Sequence, residues 1–325
     1  MPDHVVEKKV LLVGAGPMAQ AYAVVLKALG CSTVVVGRGE ASALKFEEAA
    51  GLTVQRGGLE AYLAQHAAEL ATFDAAIVAT PIDTLGTTTQ LLLASGWRSI
   101  LLEKPGGIDP AEISELAQAA ATTGAHVYLA YNRRFYASVL KALELIEEDG
   151  GVTSLNFEFT EWSHVIEKLA LNPRTKANWL LASSSHVIDM AFHLGGKPTR
   201  FTAYAGGQLA WHDKAIFGGA GRTDRGAIFT YQANWAAPGR WGVEALTAKR
   251  RFIFRPLEEL HVQQIGSVAI TKFELDDSLD KTFKPGLYWQ TLHFLQENEA
   301  AGLLSLAKYN QLVADVYQPM VKGTE

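Results

Sequence analysis

Five short apolar runs rich in β-branched residues punctuate the first 131 residues, and alanine-rich stretches with apolar positions at helical spacing lie between them. A strand that is apolar on both faces needs cover on both sides, and helices threaded between parallel strands supply it. The pattern predicts a doubly wound parallel sheet of Rossmann type, with strands at Lys9–Val13, Thr33–Val36, Ala75–Ala79, Ser99–Leu102 and His126–Leu129 and a weaker one near Thr53. Behind Tyr131 the texture changes. Segments 152–163, 226–235 and 250–257 alternate with a period of two, the sign of a sheet covered on one face and mostly antiparallel. One helix interrupts this region at 185–196, and helical stretches at 288–300 and 306–320 close the chain. The expected fold class is α/β, with domains at 1–131 and 132–325, although the terminal helices can pack back onto the first domain.

The first strand runs into Gly14-Ala15-Gly16-Pro17-Met18-Ala19, and a helical pattern follows. Two glycines let the backbone pass close to a pyrophosphate, whose charge then sits on the exposed N–H groups of the helix start. Pro17 suits the first helical turn because the N–H it lacks has no partner there. Gly14, Gly16, Pro17 and Met18 are therefore candidate dinucleotide contacts, the alternative being a tight structural turn. The second strand ends on Gly37 and Arg38, where an NAD-selective site usually carries Asp or Glu. A guanidinium there favours a 2′-phosphate, so NADP is the expected cofactor, with NAD also admitted.

Composition narrows the partners. A net charge of -5 leaves no basic stripe to neutralise a phosphate backbone, so nucleic acid is not expected. The single cysteine, Cys31, cannot build a disulfide framework or a cysteine-rich zinc site, and the histidines show no ligand spacing, so no metal is expected. The N-terminal stretch mixes acids with bases and its apolar run is too short for a signal or a span. The expectation is a cytoplasmic protein without membrane contact.

The stretch Leu101-Leu102-Glu103-Lys104-Pro105-Gly106-Gly107 places a charged pair directly behind a strand. Proline at 105 disfavours helical angles at Lys104 and holds its ammonium at the carboxyl end of the sheet, where ligands of open α/β sheets bind. Lys104 can meet a substrate oxygen there, and Glu103 can pair with it or with nearby backbone; a surface ion pair fits equally well.

The turn at 14–19, the strand and Thr80-Pro81 at 75–81, Glu103-Lys104-Pro105, the segment 131–135 and the helix 185–196 occur in the order seen in the Gfo/Idh/MocA oxidoreductases, the glucose–fructose oxidoreductase and inositol dehydrogenase group, which the chain resembles. The resemblance implies a second α/β domain on a large open sheet, a sugar, sugar derivative or cyclitol as substrate, and pairing into dimers or tetramers. It also implies that Thr80, Pro81, Glu103 and Lys104 meet the cofactor, that Lys104 polarises the reacting oxygen, and that His186 is the general acid/base. The family pattern usually has an aspartate four residues before that histidine; here the position is Ala182.

Other polar residues are candidates for reading the substrate: Arg133 after the last strand of the first domain, Arg174 and Asn178 in the loop before the helix, Ser183 beside it, and Trp162 as a stacking surface. Asp189 reads as structural, and His193 as packing or an interdomain contact. A dinucleotide-binding regulator, a redox-neutral glycosidase or eliminase, and a reductase of linear tetrapyrroles are competing readings of the same residues.

Overall fold

The computed structural model describes residues 4–324. Its strands are β1 Lys9–Val13, β2 Ser32–Val36, β3 Val54–Gln55, β4 Ala75–Val78, β5 Ser99–Leu102, β6 His126–Leu129, β7 Ser154–Glu158, β8 Pro198–Gly206, β9 Ile216–Thr223, β10 Ile228–Asn234, β11 Gly242–Leu246, β12 Arg250–Phe254, β13 His261–Gln264, β14 Ile270–Lys272 and β15 Leu304–Ser305. They form two sheets, and the chain divides into two compact units. One unit runs through Tyr131 and resumes at Thr282–Asn310; the other is Asn132–Lys281 with the segment from Gln311 onward. The expected second domain of 132–325 therefore gives up residues 282–310 to the first unit.

The first unit is the Rossmann sheet, in the order β15-β6-β5-β4-β1-β2-β3. β1 lies between β2 and β4, with Leu12 facing Val35 on one side and Ile77 on the other. Leu11, Leu12, Ile77, Ile100 and Leu101 are wholly inaccessible to solvent. Strands apolar on both faces stay dry only with helices on both sides, and Pro17–Ala28, Ile82–Ala94 and Pro110–Thr123 are among those that cover them. The strand order reverses between β1 and β4, and at that point the carboxyl ends of neighbouring strands open a crevice. β15 adds an antiparallel strand, Leu304 opposite Leu129.

The second unit is built on the sheet β14-β13-β12-β11-β7-β10-β9-β8, in which only β7 and β10 pair in parallel. β10 shows why period two was informative: Phe229, Tyr231 and Ala233 are buried while Ile228, Thr230 and Gln232 are exposed. Tyr231 stacks on Phe157, and Phe192 of the helix Ser185–Gly195 meets Phe157 and Phe229 edge-on at 5.3 and 5.1 Å. Each such ring contributes about 1.5–3 kcal/mol of burial, so this helix is firmly seated. Among the described residues no helix is long and apolar enough to cross a membrane.

Candidate functional site

In the first unit, the turn after β1 offers backbone rather than side chains to a ligand. Gly14 has φ of 124°, and a Cβ there would stand 2.4 Å from the Ala79 carbonyl oxygen, so no other residue fits. At Gly16 a Cβ would meet nothing within 4 Å, which leaves the space in front of it to a ligand. Gly16 begins the helix Pro17–Ala28 with no side-chain cap, so the first N–H groups keep their capacity for an anion. The Thr80 hydroxyl, beside Ala79, is buried without a hydrogen-bond partner. Pro81 caps the next helix, its carbonyl accepting from Thr84 N at 2.9 Å. These features fit a dinucleotide phosphate.

Just after β3, Arg56 is held by Glu40 and Glu47 at 2.8 and 2.9 Å, and its hydrogen bond draws the Glu47 carboxyl down to about 2. Arg38 has no such partner. It is exposed, its stem passes over Gly58, and among the described residues it makes no hydrogen bond or ion pair. Gly37 beside it packs too tightly for a side chain, since a Cβ would lie 2.9 Å from Val54.

At the end of β5 the strand ladder continues one residue further, Glu103 N donating to Val78 O at 2.9 Å. The Glu103 carbonyl accepts from Gly106 N at 3.0 Å and closes a turn around the cis Lys104–Pro105 bond. The Glu103 carboxylate accepts from the Tyr22 hydroxyl at 2.8 Å, and Gln290 donates to the same hydroxyl at 3.0 Å. Burial pushes the Glu103 carboxyl up, and burial together with Glu103 pushes Tyr22 well up. The half-buried Lys104 thus leaves a turn whose preceding residue is pinned from two elements. Lys284 also belongs here. Its charge acts on Glu103 and its Nζ lies 3.0 Å from Met18 Sδ. Its place in the chain, behind an unremarkable terminal segment, carried no sequence signal.

In the second unit, a π turn at Leu180–Ser184 leads directly into the helix Ser185–Gly195. His186 is 7% exposed, its ring centred 6.4 Å from that of Trp241. The wider turn also changes the expected spacing: four residues before His186 is no longer one regular α-helical turn. Asp189 is structural, as read from the sequence, and Arg134 grips it through two hydrogen bonds of 2.8 and 2.6 Å. Burial, with Arg134 and Arg225 adding to it, holds His193 well below the usual histidine range.

A carboxylate does stand against this helix. Glu161, 4% exposed, accepts from Ser184 Oγ at 2.7 Å. Burial raises its carboxyl above the usual range. Glu161 was missed from the sequence, where the only available signal was an acid at the end of an otherwise apolar alternation.

The structure gathers some candidates and disperses others. Arg133 lies 5.1 Å over the Trp241 ring, Arg240 lies 4.9 Å over the same ring, and Arg240 also covers Trp162 at 4.6 Å. By contrast, Asn178 donates to the Arg174 carbonyl and Lys176 to the Glu167 carbonyl, so both close on their own loop. Trp179 and Trp235 both pack on Trp211, and Trp235 is core. A groove of about 730 Å³ lined by Tyr204, Ile216, Gln232 and Lys322 contains none of the predicted site residues.

Residues 8–131 match the family described as oxidoreductases with an NAD-binding Rossmann fold, Gfo/Idh/MocA. The matched residues lie within the first unit. The solved structures similar to the whole chain include a candidate NADPH-dependent oxidoreductase from Desulfitobacterium hafniense (18% identity, 97% of this chain and 96% of that one, TM-score 0.76). Two others are UDP-N-acetylglucosamine 3-dehydrogenase from Acidithiobacillus ferrooxidans (15%, 97% and 97%, 0.70) and levoglucosan dehydrogenase in complex with NADH and L-sorbose (18%, 95% and 95%, 0.73). At these identities the likeness shows the fold. No curated protein matches the sequence.

Ala182, four residues before His186, is a buried methyl in the π turn. Glu161 supplies a carboxyl to the same turn from the chain that follows β7, bonded to Ser184 two residues ahead of His186. Among the described residues no group of three or more His, Cys, Asp or Glu side chains is placed to hold a metal ion.

Proposed function

We propose that this protein is an NAD(P)-dependent oxidoreductase acting on a carbon of a sugar, sugar derivative or cyclitol, with NADP preferred. The observation that carries the reading is the open cradle at Gly16, set on the same carboxyl edge of the first sheet as Lys104. The dinucleotide, when bound, accepts or supplies the hydride. Gly14, Gly16, Pro17, Met18, Thr80 and Pro81 hold it, and the unengaged guanidinium of Arg38 favours a 2′-phosphate. The names of the levoglucosan and UDP-N-acetylglucosamine dehydrogenases support a sugar-like substrate.

Lys104 donates a hydrogen bond to the reacting oxygen and stabilises the charge that develops there. His186 takes the hydroxyl proton as the C–H bond gives up its hydride and the C–O bond becomes a carbonyl; in reduction the same imidazole returns the proton. Glu103, held by Tyr22, keeps the lysine's turn in place. Reduced-nicotinamide absorbance with NADP and NAD, across sugars, sugar acids and cyclitols, tests the reading beside Lys104→Ala. Turnover that falls by roughly 10²–10³-fold in the variant supports it. Tight dinucleotide binding without turnover on any panel member overturns it.

A further inference from the structure

Two guanidinium groups in the second unit lie over one indole ring, and among the described residues neither has an ion-pair partner. Arg133 and Arg240 both lie over Trp241, at 5.1 and 4.9 Å, with Arg240 also over Trp162. Stacking on indole satisfies the faces of the guanidinium planes and leaves the N–H groups at their edges in search of acceptors. Among the described residues neither guanidinium makes a hydrogen bond or salt bridge, and Arg133 Nε is buried without an acceptor. Two like charges on one ring repel each other, and the charge of Arg240 acts on Arg133. Burial also weakens the hold of Arg133 on its proton. The carboxylates that reach Arg133 electrostatically, Glu161 and Glu258, do not pair with it, and the carboxyl of Glu161 already accepts from Ser184. An anion bridging the two guanidinium edges removes the repulsion and supplies the missing acceptors.

We propose that Arg133 and Arg240 clamp a carboxylate or phosphate carried by the substrate, so that a sugar acid or sugar phosphate, rather than a neutral sugar, is the class this protein recognises. The inference rests on the sugar-oxidoreductase reading for its substrate, and on the proximity of Trp241 to His186 for its place. The anionic substituent is held beside the indole while His186, against the same ring, faces the hydroxyl to be oxidised. Trp162, 51% exposed, extends the apolar platform outward for the sugar's carbon face.

The test titrates the protein with D-glucuronate, D-glucose 6-phosphate, D-glucose and inorganic phosphate, following tryptophan emission, and measures turnover of the same sugars in parallel. Arg240→Gln is the informative variant because Arg240 is exposed and its loss leaves the core intact. The clamp predicts that at least one anionic sugar binds about tenfold or more tightly than glucose, and that Arg240→Gln brings the two within about twofold. Glucuronate ahead of glucose 6-phosphate identifies a carboxylate, and the reverse order a phosphate. Equal binding of charged and neutral sugars, an advantage that survives in Arg240→Gln, or no response to any anion overturns the clamp. Emission reports the clamp and absorbance reports the chemistry, so anion binding without turnover removes the oxidoreductase reading alone.

Discussion

Glu161 and Ser184 are joined by a buried hydrogen bond of 2.7 Å that fastens the end of the β7 segment to the π turn just ahead of His186. Glu161→Ala leaves the Ser184 hydroxyl unsatisfied and should cost about 1–3 kcal/mol, read as a lower urea midpoint. Glu161→Gln keeps an acceptor and should cost less; equal losses would show that the acceptor oxygen is not what stabilises the turn.

The same carboxyl sets a pH dependence. Its folded value is raised above the ordinary 4.5, so the stability it contributes is complete below that value and is lost as pH rises through the folded one. Glutamine cannot ionise. Thermal unfolding of Glu161→Gln and the parent should differ progressively in favour of the variant above about pH 4.5, and a gap that widens toward acid would contradict the assignment.

Arg134 and Asp189 form a two-bond ion pair, the acid only 1% exposed, which ties the segment after β6 to the helix carrying His186. Removing one partner strands the other charge, so Arg134→Ala should cost about 3–5 kcal/mol in chemical unfolding. Arg134→Met with Asp189→Leu should recover most of that loss, because no charge then remains to be desolvated.

Gly14 and Gly16 should separate folding from binding. Gly14→Ala puts a methyl 2.4 Å from the Ala79 oxygen at an unfavourable φ and should lower the melting temperature. Gly16→Ala adds a Cβ that meets nothing within 4 Å, so the melting temperature should hold while dinucleotide binding, followed by nicotinamide fluorescence, is weakened.

Arg38→Ala should raise the dissociation constant for NADPH by about tenfold or more and leave NADH within about twofold, since only the 2′-phosphate contact is removed. Equal changes for both cofactors would place Arg38 outside the ribose subsite.

The parallel sheet was legible residue by residue. Strands such as Ser99–Leu102 and His126–Leu129 carry their β-branched and apolar character locally, and glycine turns bound them. β15 was not legible: Leu304 and Ser305 make a strand only because Leu129 and Tyr128 lie beside them, about 175 residues earlier in the chain, and that pairing is what seats 282–310 in the first unit. Among the candidate residues, Lys104 in the first unit and His186 in the second were singled out from the sequence, whereas Lys284 in the first and Glu161 and Arg240 in the second carried no local signal. Each is a polar residue in an ordinary loop until a distant element arrives next to it.

The sequence by itself determined the local geometry: which segments are strands, where glycine must stand, that proline follows Lys104, and that no acid ends β2. Tertiary structure alone decided the neighbours. Period two says which face of a strand is buried but not which strand pairs with it, and helical spacing cannot foresee a π turn. The Arg133–Trp241–Arg240–Trp162 stack and the Glu161–Ser184 bond are therefore products of long-range pairing, formed only when the backbone has closed.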